Sequence, residues 1–360
     1  MGKSELRGFS VFEHGCFLSY DINLDQENSY YDSFKNSDIE GSVSRFETDE
    51  NGFIVPSEIY EEADFNIFFL GDSTVECSFV QPKKRIPYLA GRILEKLLKC
   101  RVNAYNAGVS GADTLSLIKV LLMKIFPMEP DMVVMCNTDR ELVYLLSQKP
   151  NDKRHMRGAS NGKKDIIIYR DWLAKASLKR RVFTCAKLIF RGKHLIDEKE
   201  YNKTQSLLRS NVEKKRVDPE KILDIFKKDL MAVVALCEAR HIPLILMTQA
   251  NQYILTKENK RLEKLYYART YVETNMKYAD YCRMYTKANE IIRTVGEEKN
   301  IYVIDLENFA KNKSLLYDSV HYTNQGAETV SEYIGNKIYN KMIEEQTETR
   351  KKYEKNTYTQ

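Results

Sequence analysis

No run of the sequence approaches the ~18 uninterrupted apolar residues of a membrane-spanning helix, so none is expected. The opening stretch, MGKSELRGFSVFEHGC, has no apolar centre of the kind that marks a secretory signal, and a cytoplasmic location is the expectation. Cysteine is present but unpatterned. Its seven residues are odd in number, widely spaced and without a CxxC pair, which signals neither a zinc ribbon nor a disulfide framework. Reduced thiols are the simplest reading, and Cys77, four residues after Ser73, reads as a packed residue rather than a nucleophile. No P-loop, dinucleotide glycine fingerprint, zinc finger, RNP aromatic pair or GXXG loop occurs, so nucleic acid is not an expected partner. Histidine is scarce. The chain has five: His14, His155, His194, His241 and His321.

What is present suffices for a folded enzyme-sized unit. The hydrophobic fraction is 43% of 360 residues, enough to bury a sizeable core in one large domain or two modest ones. The net charge of +5 is unevenly spread: the segment at about 147–216 holds 20 Lys or Arg against 7 Asp or Glu. Residues 1–60 are polar and aromatic, with turn signals at Asn51-Gly52 and Pro56, and read as an irregular extension on the domain edge. From residue 66 strands and helices alternate. Asn66–Leu70 (NIFFL), Val102–Tyr105, Met132–Met135, Ile242–Met247 and Tyr302–Leu306 read as buried strands. Helices are expected from Pro87 to about Cys100, over Thr114–Phe126 after the cap Asp113, from Pro219 to about Arg240 after Asp218, over 256–298 and over Gln325–Ile343. The charged tail from about residue 345 lacks apolar periodicity and is expected to be disordered. The pattern predicts a parallel sheet of about five strands between two helical layers, interrupted by a basic helical insertion. Ligands of such sheets bind beyond the carboxyl ends of the strands.

The loop after the first of these strands reads Gly71-Asp72-Ser73-Thr74. A serine hydroxyl needs a neighbouring base to become a nucleophile. His321 is the histidine in the right region with a carboxylate close by: it lies between the last strand and the last helix, and Asp318 precedes it by three residues. That carboxylate suits the third role of a catalytic triad, orienting the ring and stabilising the imidazolium. The competing reading makes Ser73 a turn residue and Asp318 and His321 a helix-entry cap.

Gly71-Asp72-Ser73, Asn106-Ala107-Gly108 within NAGVSG, and Asp318-x-x-His321 resemble, in order and placement, the sequence blocks of the SGNH/GDSL hydrolases. The resemblance runs from about residue 64 to 340. It implies a flavodoxin-like α/β/α sandwich, ester hydrolysis, and neither metal nor cofactor. By resemblance Ser73 is the nucleophile, His321 the general base and acid, and Asp318 its orienter, with oxyanion donors from the Ser73 and Gly108 N–H groups. The family's third block, Gly-x-Asn-Asp, is altered here to Cys136-Asn137-Thr138-Asp139-Arg140. Chemistry favours Asn137 as the remaining donor and spacing favours Asp139, an acid beside Arg140; both alignments stand. Gly108 serves either the oxyanion or only the turn, and Gln249, after the fourth strand, either faces the cleft or satisfies loop backbone.

The GDST, NAGVSG and DSVHY blocks look like those of bacterial enzymes that remove O-acetyl groups from carbohydrates, so the expected partner is a small-molecule or glycan ester. A lysophospholipase- or thioesterase-like lipid esterase is the enzyme alternative. A catalytically impaired glycan- or protein-binding member is the other. Within the insertion, Trp172–Phe190 places Leu178, Val182, Cys185 and Ile189 on one helical face with basic residues elsewhere. Residues 172–190 are a candidate for contact with an anionic surface or for an active-site lid, against the plainer reading of a packed surface helix.

Overall fold

The computed structural model describes residues 13–24, 31–35, 37–147, 218–253, 260–311 and 313–357. The helical stretch expected at 172–190, with nearly all of the basic segment, His155 and His194, lies outside the described residues. Those described belong to one compact unit, Val11–Pro150 with Val217–Gln360.

An antiparallel pair, β1 (Ser19–Asn23) and β2 (Val43–Glu47), flanks a single helical turn, α1 (Tyr31–Phe34). The main sheet has five parallel strands: β3 (Phe65–Gly71), β4 (Val102–Gly108), β5 (Met132–Cys136), β6 (Leu244–Thr248) and β7 (Tyr302–Asp305). Their order is β4-β3-β5-β6-β7. Numbered from β3, this is the 2-1-3-4-5 order of flavodoxin-like sheets, whose switch point lies between the first and third strands. Gly71 is in register with Gly108 on one side and Cys136 on the other, so three loops leave the sheet at one level.

Alternation along the strands divides the core. Phe68, Leu70, Tyr105, Val133 and Met135 pack against one helical layer, formed by α4 (Thr114–Val120), α5 (Asp139–Leu146), α6 (Pro219–Ala239) and α9 (Tyr278–Lys299). Ile67, Phe69, Ala104, Val134 and Ile304 pack against the other, formed by α3 (Ile86–Leu98) and α11 (Asn324–Thr357). The protein is therefore a three-layer α/β/α sandwich. Shorter elements complete it: α2 (Ser73–Glu76), α7 (Lys260–Ala268), α8 (Thr270–Thr274) and α10 (Leu306–Ala310).

Several boundaries differ from those read in the sequence. Strand β4 does not end at Tyr105 but continues through Asn106-Ala107-Gly108, every residue buried. The helix capped by Asp113, whose carboxylate accepts from Ser116 N at 2.8 Å, changes to a π-helical segment over Leu121–Ile125 before Pro127. The helical stretch expected at 256–298 is broken into three by the left-handed Asn275 and a turn near Arg269. The last helix runs on to Thr357 rather than ending near Ile343.

The N-terminal segment is tied to the sandwich by specific bonds. Arg85, 1% exposed, donates to the carbonyls of Arg45 (2.7 Å), Val55 (3.0 Å) and Cys77 (3.3 Å), joining three stretches of chain at one guanidinium. The Asp38 carboxylate receives the N–H groups of Asn324 (2.8 Å) and Gln325 (2.7 Å) and so caps α11.

Candidate active site

Ser73 is the first residue of α2, immediately beyond β3 at the switch point. Its neighbour Asp72 has extended backbone, and the Asp72 carboxylate accepts from Thr74 N at 2.9 Å and from the Thr74 hydroxyl at 2.8 Å. This Asx-type cap starts the helix one residue past the strand, and the sharp turn brings Ser73 out at the carboxyl edge. Asp318 and His321 lie 245 and 248 residues on, in the loop between α10 and α11; the loop is closed by Tyr317 N–H donating to His321 O at 3.0 Å.

The three side chains form one chain of hydrogen bonds. Ser73 Oγ lies 2.8 Å from His321 Nε2, and His321 Nδ1 lies 2.8 and 3.0 Å from the two Asp318 oxygens. A carboxylate can only accept, so Nδ1 carries the proton in the neutral ring and Nε2 is left to accept from Ser73. Asp318 is itself fixed by the N–H groups of Val320 (2.9 Å) and His321 (2.8 Å). The Tyr317 ring lies parallel to the imidazole at 5.8 Å.

Burial opposes charge on His321, but the adjacent Asp318 carboxylate outweighs it, with smaller contributions from Asp72 and Asp139, and the imidazole titrates above its ordinary 6.5. Burial also pushes the Asp318 carboxyl up. The His321 charge and the three donors to Asp318 reverse this and hold it below the usual carboxylate range.

Not every residue expected at the oxyanion lies free. The Gly108 N–H donates to Asn106 Oδ1 at 3.0 Å, so Gly108 does not offer an open donor. Its reason for being glycine is contact: a Cβ there would lie 2.2 Å from Glu76 N and 2.6 Å from Val75 C, so the end of β4 rests directly on α2. Three residues on, Gly111 has φ +83° in the turn closed by Ala112 N–H to Val109 O, and its N–H has no acceptor among the described residues. The Ser73 N–H likewise has none among them.

The two candidates of the third block make different contacts. Asn137, 4% exposed, follows β5 directly; its amide nitrogen is 3.4 Å from Thr114 Oγ1 and its carbonyl oxygen has no partner among the described residues. Asp139 opens α5, and its carboxylate accepts from Tyr281 OH at 2.9 Å and Tyr253 OH at 3.2 Å. Burial pushes the Asp139 carboxyl up to about 6 against the pull of Arg140. Gln249 does not face an open cleft; it is fully buried beneath the site and bonds both Asp72 and the backbone of the third block.

Cys77 donates to Thr74 O at 3.0 Å, and burial pushes its thiol up to about 12, consistent with a packing role. Among the described residues no group of three His, Cys, Asp or Glu side chains is arranged to hold a metal ion, and no helix is long and apolar enough to cross a membrane.

No family model matches the chain, and no curated protein does. Solved structures do. An acetyl xylan esterase aligns over 76% of this chain and 100% of its own at 15% identity, with a TM-score of 0.43. A lipase/acylhydrolase from Enterococcus faecalis aligns over 77% and 96% at 14% identity and 0.41. An acetylxylan esterase from Geobacillus stearothermophilus aligns over 76% and 94% at 13% identity and 0.41. The chemistry of the site rests on its own geometry.

Proposed function

We propose that the chain is a serine carboxylic ester hydrolase of the SGNH/GDSL type, acting through an acyl-serine. The observation that carries the reading is the unbroken relay from Ser73 Oγ through both ring nitrogens of His321 to Asp318. Ser73 attacks the ester carbonyl as His321 Nε2 takes its proton, and the imidazolium so formed is stabilised by Asp318. His321 then returns the proton to the departing alkoxide. In the second half a water molecule, deprotonated by the same ring, releases the acid.

The oxyanion is assigned to three donors: the N–H groups of Ser73 and Gly111 and the amide of Asn137. Supporting Gly111 is its unpartnered N–H in a turn pinned at both ends. Ser110 on one side donates its N–H and hydroxyl to Glu76 of α2, and Thr114 on the other receives the Asn137 amide. Asn137 is favoured over Asp139 because its amide makes only one long contact, whereas an Asp139 carboxylate held by two phenols would repel a second negative charge. The acyl group is proposed to be acetyl, or another short acyl, on a carbohydrate; the GDST, NAGVSG and DSVHY blocks support this.

Release of p-nitrophenol from acetyl and octanoyl esters tests the reading. The acetyl ester is expected to turn over faster, and Ser73→Ala to abolish both activities. A folded protein that hydrolyses neither ester refutes ester hydrolysis; preference for octanoate refutes the short-acyl assignment.

A further inference from the structure

Gln249 is the first residue after β6 and has no solvent exposure. Its side chain lies between the two turns that carry the proposed machinery. On one side the amide nitrogen donates to Thr74 Oγ1 at 2.8 Å and to the Asp72 carboxylate at 3.1 and 3.2 Å. On the other the carbonyl oxygen accepts from Asp139 N (2.6 Å), Thr138 N (3.2 Å) and Tyr285 OH (2.7 Å). The opposite amide orientation would set NH₂ against two backbone N–H groups and a carbonyl against a carboxylate, so the surroundings permit one arrangement. The backbone is fixed as well: Gln249 N donates to Asn289 Oδ1 at 3.0 Å, and Asn289 Nδ2 donates to Gln249 O at 3.1 Å.

Asp72 and Thr74 bracket Ser73, and Thr138 and Asp139 directly follow Asn137. The two turns leave adjacent strands, and Gln249 joins them by side-chain bonds. Resting on the hydrolase reading above, we infer that Gln249 is a positioning residue whose amide sets the distance between the Ser73 N–H and the Asn137 amide, and hence the width of the oxyanion site. The amide touches no reacting atom. It acts by holding one turn with its two N–H donors and the other with its acceptor.

Gln249→Glu keeps the length and the acceptor but faces the Asp72 carboxylate with a second one, which forces the turns apart or traps a proton between them. Misplacement of catalytic groups by about 1 Å can cost ~10²-fold in rate. The paired variant Asp72→Asn/Gln249→Glu exchanges the amide and the carboxylate and restores one donor face against one acceptor face. Tyr285→Phe, a milder change, removes one donor to the Gln249 carbonyl.

The test measures kcat and KM for p-nitrophenyl acetate at pH 8 and the rate at which a fluorophosphonate labels Ser73, with thermal unfolding as the control for folding. Gln249→Glu is expected to lower kcat and the labelling rate at least tenfold with KM within twofold. The paired variant is expected to recover most of the loss, and Tyr285→Phe to lower kcat severalfold at unchanged KM. Wild-type labelling of Ser73 with Tyr285→Phe and the folded Gln249 variants labelling equally fast overturns the inference and leaves the hydrolase reading intact. A paired variant that is folded and no faster than Gln249→Glu also overturns it. Failure of the wild-type protein to label Ser73 overturns the hydrolase reading, and the inference with it.

Discussion

Asp318→Asn tests the relay at its least exposed point. Asp318 Oδ1 receives the N–H groups of Val320 and His321, while Oδ2 faces His321 Nδ1 at 2.8 Å. An asparagine must keep its oxygen toward the two backbone donors, so its NH₂ replaces Oδ2 and points at Nδ1. Two donors then meet. The relief is the other imidazole tautomer, with Nδ1 accepting and Nε2 protonated, and that ring cannot take the Ser73 proton. Loss of the required tautomer in a triad lowers kcat by ~10⁴, about 5 kcal/mol of transition-state stabilisation. The pH dependence moves too. His321 is a base only when neutral, so wild-type kcat/KM rises with pH through a value above 6.5. Without the carboxylate, burial acts almost unopposed on the imidazolium and the acid limb of the residual activity shifts downward. Both readouts come from p-nitrophenyl acetate kinetics between pH 5 and 9, with circular dichroism to confirm folding. Retention of more than a tenth of wild-type kcat, with an unmoved acid limb, refutes the reasoning.

Asn137→Ala is expected to lower kcat by roughly 10²–10³ with little change in KM, as for removal of one oxyanion donor, whereas Asp139→Asn costs less than tenfold; the reverse ranking in the same assay would favour the other alignment of the third block. Asp139 binds protons more tightly folded than unfolded, so its contribution to stability falls as pH rises from its ordinary value near 3.8 through about 6. Thermal unfolding of Asp139→Asn should therefore compare more favourably with wild type at pH 8 than at pH 5. Gly108→Ala, with no room for a methyl beside Glu76 N, is expected to lose about 1–3 kcal/mol in urea unfolding, together with activity. Arg85→Met removes a buried charged donor from three backbone carbonyls and is expected to destabilise by ~3 kcal/mol or more in the same measurement, with Arg85→Lys recovering only part of it.

The layered fold was legible because five apolar runs, each closed by a turn, leave few alternatives to a parallel sheet. Ser73, Asp318 and His321 were legible because scarcity of histidine narrows the choice and position after a strand does the rest. The role of Gly108 stayed open in the sequence for a physical reason. Strand β4 is buried on both faces, so no alternation of polar residues announces where it ends, and three residues of strand passed for loop. The same difficulty left Asn137 and Asp139 in competition: counting residues cannot show that helix α5 begins at Asp139 and turns its carboxylate into a group of tyrosines. Gln249 is singled out by its place after a strand, but its bridging contacts carry no local signal. Its partners lie 177, 111 and 36 residues away, and only the folded chain brings them together.

The capping of α11 by Asp38 bears on the order in which the molecule assembles. The bond to Asn324 spans 286 residues. Asp38 is translated 286 residues before Asn324, so the cap on α11 forms only after the loop holding Asp318 and His321 has been made. Until then the cluster of Ile22, Leu24, Phe34, Ile39, Phe46 and Ile54 lacks Tyr317, which the same loop supplies. Closure of this segment over the start of α11 therefore follows synthesis of the histidine loop, and that loop takes its final support from residues made long before it.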